Sequence, residues 1–237
     1  MKRYITAIAL FLVSLCSTAQ VANNALSFER NGRVSLGVLP NDIADTGTTL
    51  QLWMNPQHWI PGASIVTWGE NLNIQLGTPG QITINCGDET ISFTDGNLAT
   101  GNWSHLTLLM EGNSIRLLVN NANEQSGTLT TPFTVPSREP LLLGGGFLGR
   151  IDEVRVWDFI LPADYNRFWN NTVDRFNPQW EHLAAYWKFD QTRLESNVYD
   201  YSEKRTQRYI QRRRRNTHCS HRQPKFYIPP KPCLCRL

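Results

Sequence analysis

The residues best placed to do chemistry are two carboxylates, Asp152 and Glu153, in the run IDEVRVWD at Ile151–Asp158. Four closely spaced glycines, Gly144, Gly145, Gly146 and Gly149, precede it. Glycine reaches positive φ cheaply, so these residues read as a turn. The run alternates and is rich in Val and Ile, so it reads as a strand. Alternation places Asp152 on one face with Val154 and Val156, and Ile151, Glu153, Arg155 and Trp157 on the other. A carboxylate on an apolar face must be hydrogen-bonded, paired with a cation or bound to a metal.

Aromatic and amide side chains form a second set of candidates. Aromatic rings offer flat faces on which the apolar face of a sugar ring stacks. Trp53 lies on the polar side of its strand with Gln51, His58 and Trp59 fall in the Pro56–Gly62 loop, and Trp180 lies further on. Asn73, Gln75, Thr83 and Asn85 would add hydrogen bonds from the polar faces of their strands. Other chemistry finds no pattern. His58, His105 and His182 are far apart, and neither a Ser-His-Asp order nor a phosphate loop is present. Cys86 closes an alternating strand with Ile82 and Ile84 and reads as a buried thiol.

These side chains need strands to carry them. Short alternating segments separated by turn signals run through the chain: 25–29, 33–39, 48–54, 64–68, 72–76, 81–86, 89–94, 104–110, 114–120, 141–143, 151–158 and 183–189. Asn31-Gly32 between the first two predicts a hairpin. One short helix is predicted near 163–170, with Pro162 at a position where helix starts accept proline. So many strands with so little helix predict an all-β protein, a two-sheet antiparallel jelly-roll sandwich.

Five segments in order carry a family resemblance: ALSFERNGRVSLG, TTLQLWMNP, GNWSHLTLLMEGNSIRLLVN, GRIDEVRVWDFILPADY and LAAYWKFD. Together they resemble the laminin-G-like jelly rolls of the concanavalin A-like lectin/glucanase superfamily. The resemblance implies a terminal strand returning beside the first. It also suggests a structural Ca²⁺ at Asp152, with Glu29 and Asp190 as further ligands, since calcium takes six to eight oxygens. Glucanases of this superfamily carry two Glu flanking an Asp on one strand. Here the positions two before and two after Asp152 are Arg150 and Val154, and Asp152 and Glu153 point to opposite faces. A retaining pair needs carboxyls ~5 Å apart. The carry-over of catalysis fails there, which favours a carbohydrate-binding or adhesion module without its own catalysis. A glycoside hydrolase of the same superfamily and a structural spacer in a larger surface protein are the alternatives.

The ends of the chain differ from its middle. Lys2 and Arg3, the apolar run 5–15 and the small residues Ser17-Thr18-Ala19 read as an export signal over 1–19. Lipid attachment at Cys16 is an alternative, disfavoured by Leu15 before it. No stretch reaches transmembrane length, so the expected location is secreted, periplasmic or cell-surface, with a glycan or a cell-surface protein as partner. Of 237 residues, 201–237 hold 11 of the 23 Lys and Arg and one of the 20 Asp and Glu. This basic tail contains Cys219, Cys233, Cys235, His218 and His221 in no standard zinc spacing. It reads as a disordered or frame-shifted extension, of which 203–237 is expected to pack against nothing, and not as a nucleic-acid site in an exported protein. The jelly roll itself is expected over 22–200.

Overall fold

The computed structural model describes residues 24–29, 31–39, 47–136, 138–163, 169–190, 197–202 and 208–209. The expected export signal and most of the basic tail lie outside the described residues. So do residues 164–168 of the expected helix, whose last two positions, 169–170, form a turn.

Two antiparallel sheets pack face to face. The first holds β1 (Leu26–Phe28), β12 (Leu148–Trp157), β3 (Thr48–His58), β8 (Ser104–Glu111), β9 (Ser114–Val119) and β10 (Ala122–Thr128), in that order. A further strand, β13 (Leu183–Trp187), also pairs with β12. The second sheet runs β2 (Arg33–Val38), β11 (Pro140–Gly144), β4 (Ser64–Trp68), β5 (Leu72–Leu76), β6 (Gln81–Cys86) and β7 (Glu89–Thr94). Alternation explains the packing. Leu52 and Met54, Ile74 and Leu76, Ile82 and Ile84, and Leu106 and Leu108 point inward into one core with Trp68, Phe147 and Trp187. Burying each such side chain contributes about 1.5–3 kcal/mol.

β8 pairs with β9, but the hairpin expected of the first two strands does not form. Asn31 takes positive φ and Gly32 N–H donates to the Glu29 carbonyl, so the turn is present. Yet β1 pairs with β12 and β2 with β11, in different sheets. The turn is a corner of the sandwich, because Phe28 and Leu36 both insert between the sheets. β1 covers the Gly149–Ile151 part of β12, and β13 covers its Val154–Trp157 part. First and last strands thus lie end to end along β12, and Asn24 N–H donates to Asp190 Oδ1 at 3.3 Å.

A bulge in β12 corrects the facing of Asp152. The register against β3 shifts between Asp152 and Arg155, and Glu153 sits at φ 52°. The extra residue reverses the alternation. Ile151, Val154 and Val156 all enter the main core, while Asp152 pairs opposite Trp53 on the outer side. Asp152 therefore does not share the face of Val154 and Val156.

Packing of the jelly roll runs on through Ser202, whose hydroxyl donates to the Ala184 carbonyl. Tyr201 N–H bonds the Tyr186 carbonyl along the free side of β13. Beyond it, β15 (Arg208–Tyr209) pairs with β14 (Asn197–Val198). The expectation that the tail packs against nothing is corrected at those two residues. At the far edge of the second sheet, the Gln125 amide of β10 bonds both the N–H and the C=O of Thr94 on β7, at 3.3 and 3.0 Å.

Candidate functional site

The outward side of the second sheet is polar and uncharged across its middle strands. Cross-strand register aligns Thr67, Asn73, Asn85 and Thr90 in one row over β4, β5, β6 and β7. A second row holds Gln75, Thr83 and Ser92. Thr90 Oγ1 donates to Asn85 Oδ1 at 2.8 Å, and Thr67 Oγ1 to Asn73 Oδ1 at 3.5 Å. Thr83 and Ser92 hydroxyls lie 3.1 Å apart. The threonines turn both amide oxygens toward neighbouring strands. Asn73 and Asn85 stand opposite each other in register, and their Nδ2 groups donate to no protein acceptor among the described residues. Alternation put each of Asn73, Gln75, Thr83 and Asn85 on the polar face of its strand, and the β5–β6 register brings them together.

At one end of this face the loops form an open cleft of about 420 Å³. Trp59, Pro79, Leu98 and Ala99 supply apolar walls, with Thr94, Asp95 and Thr100 between them. Trp59 Nε1–H donates to the Gly77 carbonyl at 3.0 Å, which fixes the indole. Asp95 is buried, and its carboxylate accepts from Asn97 N–H and Nδ2 at 2.8 Å and from Asn123 Nδ2 at 3.4 Å. It organises the loop and is spent in doing so. His58 is exposed at the end of β3. The sequence reading found Trp59 and missed the other walls. They come from two loops distant in sequence, signalled only by the glycine-bearing turns at Gly80 and Gly96.

The outward side of the first sheet is covered instead. Trp157, Leu161, Val173, Leu183 and Tyr186 form a second apolar cluster there with Leu109 and Leu118, and Trp180 packs against it. Trp53 is 9% exposed, with the Trp169 ring 5.1 Å away and the His105 ring 5.3 Å away. Neither Trp53 nor Trp180 joins the polar face or the cleft. Beneath this cover Arg155 donates to Glu153 Oε2 at 2.7 Å, to the Asn171 carbonyl at 2.7 Å and to the Trp169 carbonyl at 3.4 Å. The Tyr186 hydroxyl donates to the same Glu153 oxygen. Burial, with the neighbouring Glu153 charge, pushes the Tyr186 phenol well above its usual pKa, against the pull of Arg155. Alternation placed Glu153 and Arg155 on one face; the sequence reading missed Tyr186, which β13 brings opposite Arg155 through its pairing with β12.

His105 is fully buried on the same side, with Nδ1 3.4 Å from Thr107 Oγ1. Burial, with the Arg155 charge adding to it, holds its imidazole well below the usual pKa, so it folds neutral. The unfolded chain takes up that proton near pH 6.5 and the folded one does not. The stability from keeping His105 neutral is whole above that pH. It is lost as pH falls, by about 1.4 kcal/mol per pH unit until the folded pKa is reached. The urea midpoint is expected to drop between pH 7.5 and 5.5, and His105→Gln to flatten that drop. Equal slopes in both proteins would refute it.

The ligand set expected for calcium does not assemble. Glu29 is exposed just past β1, Asp190 is half-buried beyond β13, and Asp152 is fully buried on β12. Burial and the Glu153 charge raise the Asp190 carboxyl above its usual range. Among the described residues no three His, Cys, Asp or Glu side chains gather as they would around a metal ion. The bulge accounts for part of this, since it turns Asp152 away from the face on which alternation had placed it.

The fold and both faces now stand beside known proteins. A sequence profile of the laminin G type, in the concanavalin A-like lectin/glucanase superfamily, matches residues 28–165. The chain belongs to that superfamily. A Bacteroides ovatus protein assigned as carbohydrate-binding superposes with a TM-score of 0.60 at 19% identity, over 76% of this chain and 55% of that one. The binding domain of botulinum neurotoxin DC, solved with rat synaptotagmin II, gives 0.51 at 14% identity, over 62% and 42%. The serotype D binding domain gives 0.52 at 14%, over 63% and 43%. This chain spans about half the length of each, and at such identities the likeness is one of fold. No curated protein sequence matches the chain. Among the described residues no helix is long and apolar enough to cross a membrane.

Proposed function

We propose that this chain is a glycan-binding module of a secreted or cell-surface protein, without catalysis of its own. Its ligand is an uncharged glycan lying on the outward side of the second sheet. The row Thr67, Asn73, Asn85 and Thr90 carries this reading. It offers hydroxyls and amide N–H groups at the interstrand spacing of about 4.8 Å, with no charge to select an anion. Sugar hydroxyls are donors and acceptors that such a surface satisfies. The carboxylates Glu153 and Asp152 lie buried under the cover on the other sheet, away from this face.

A glycan array followed by calorimetry tests the reading. The wild type is expected to bind neutral polysaccharides and to release no reducing ends from them. The double change Asn73→Ala with Asn85→Ala should weaken binding roughly thirtyfold, since two hydrogen bonds at about 1 kcal/mol each are lost. It should leave the melting temperature nearly unchanged. A blank array beside specific capture of a protein ligand would sink the proposal, and so would full affinity in the double variant.

Calcium at Asp152 is a separate proposal, suggested by the family likeness alone. If an ion is held there, it favours the folded state by mass action, by about 2.7 kcal/mol at a hundred times its dissociation constant. Chelator would then lower the melting temperature of the wild type and leave Asp152→Asn unmoved. An unmoved wild type beside a destabilised Asp152→Asn assigns the carboxylate to protein donors.

A further inference from the structure

The cleft and the polar face form one surface. Trp59 is pinned to Gly77, the residue that follows β5, and Gly77 lies against the side chains of Gln81 and Thr83 on the outward side of β6. Thr94 stands opposite Gln81 at the end of β7 and also lines the cleft. A chain lying along the face therefore runs into the cleft without leaving the protein surface. There the chemistry changes. Neutral hydroxyl and amide groups give way to an indole held in a fixed plane, with Pro79, Leu98 and Ala99 around it. The Asp95 carboxylate beside them is buried and accepts from Asn97 and Asn123, so its oxygens are engaged within the loop.

Resting on the proposed glycan reading, we infer that this cleft is a subsite for one sugar ring at the end of the bound glycan. The apolar face of that ring lies on Trp59, and its hydroxyls meet Thr94 and Thr100. A ring offers both an apolar face and a polar rim, which this mixture of walls matches. The cleft has room for such a ring at about 420 Å³. Gly96 also lines the cleft, and a Cβ there would meet nothing within 4 Å, so a larger side chain can be built at this position.

The test uses cellohexaose, xylohexaose, mannohexaose and arabinohexaose as probes, with dissociation constants from calorimetry on the whole chain. At least one is expected to bind, and Trp59→Ala should weaken it roughly tenfold. Trp59→Phe, which keeps a ring but not the bond to Gly77, should recover most of that loss. Gly96→Gln adds a side chain at a lining position where the backbone leaves free space, and should weaken binding similarly at an unchanged melting temperature. Wild-type affinity in Trp59→Ala and Gly96→Gln, beside weak binding by the Asn73→Ala, Asn85→Ala variant, overturns the subsite and leaves the face reading intact. The opposite pattern supports the subsite and overturns the face. No binding by any of the four probes overturns both. A proline-rich peptide that binds the wild type and not Trp59→Ala would reassign the cleft to a protein ligand and overturn the subsite.

Discussion

Arg155→Met is expected to lower the free energy of unfolding by about 3–5 kcal/mol, the usual cost of stranding one partner of a buried ion pair. The guanidinium is 2% exposed and the Glu153 side chain 9%, so neither charge is relieved by water. Methionine keeps most of the packing volume and removes every donor. Glu153 then retains the Tyr186 hydroxyl alone, and the Trp169 and Asn171 carbonyls lose the donor that holds them to the sheet. The loss should fall on the cover over the first sheet as well as on global stability. Urea unfolding measures the second, and hydrogen exchange across 169–182 measures the first. Adding Glu153→Gln to Arg155→Met should recover part of the loss, because no buried charge is then left unpaired. A drop under about 1 kcal/mol would mean that solvent reaches the pair.

Gly149→Ala should be nearly as costly, for a steric reason. A Cβ at this position would stand 2.9 Å from Pro56 Cα and 3.0 Å from Gln57 N, and closer still to the Asn55 carbonyl oxygen. All three belong to the backbone of β3 and none can rotate away. The residue lies where the β12 to β3 register shifts, so the strands are already close. Relief requires β12 to move off β3, and β1 pairs with the same stretch of β12. Overpacking with backbone strain costs about 3 kcal/mol. For a domain of this size that is a fall of roughly 6–12 °C in melting temperature. A variant that melts within about 2 °C of the wild type, about 0.5–1 kcal/mol on that scale, would show that β12 has slack at this point.

These two positions also mark where the sequence was readable and where it was not. Alternation in β5 and β6 is unbroken, so Asn73, Gln75, Thr83 and Asn85 were assigned to one side of their strands, and they do meet. A period of two is a local property, and local reading suffices wherever it runs undisturbed. In β12 it is disturbed. One residue in the left-handed region at Glu153 inverted the facing of everything before it, including Asp152. Nothing in the letters IDEVRVW announces such a bulge, because Glu is not a residue that positive φ favours. The Asn31-Gly32 turn failed for another reason. Its chemistry fixes a reversal of the chain, whereas the sheet that receives each arm follows from the pairing of β1 with β12 and β2 with β11, which places both Phe28 and Leu36 in the core. The cleft was half legible, since Trp59 is visible in sequence but Pro79 and Leu98 become its neighbours only through the sheet order.

The Gln125 side chain has a consequence beyond its two bonds to Thr94. An unpaired strand edge invites the edge of another molecule, and β7 ends its sheet. Gln125 offers that edge an amide in the place of a peptide group, so Thr94 is already satisfied within its own chain. Copies of the module held side by side on a surface are thereby discouraged from zipping together along β7 where the cleft begins. On the proposed glycan reading, each copy would keep its own ligand face, and a repeated display would gain grip from independent holds, with the gain set by how closely the copies are tethered.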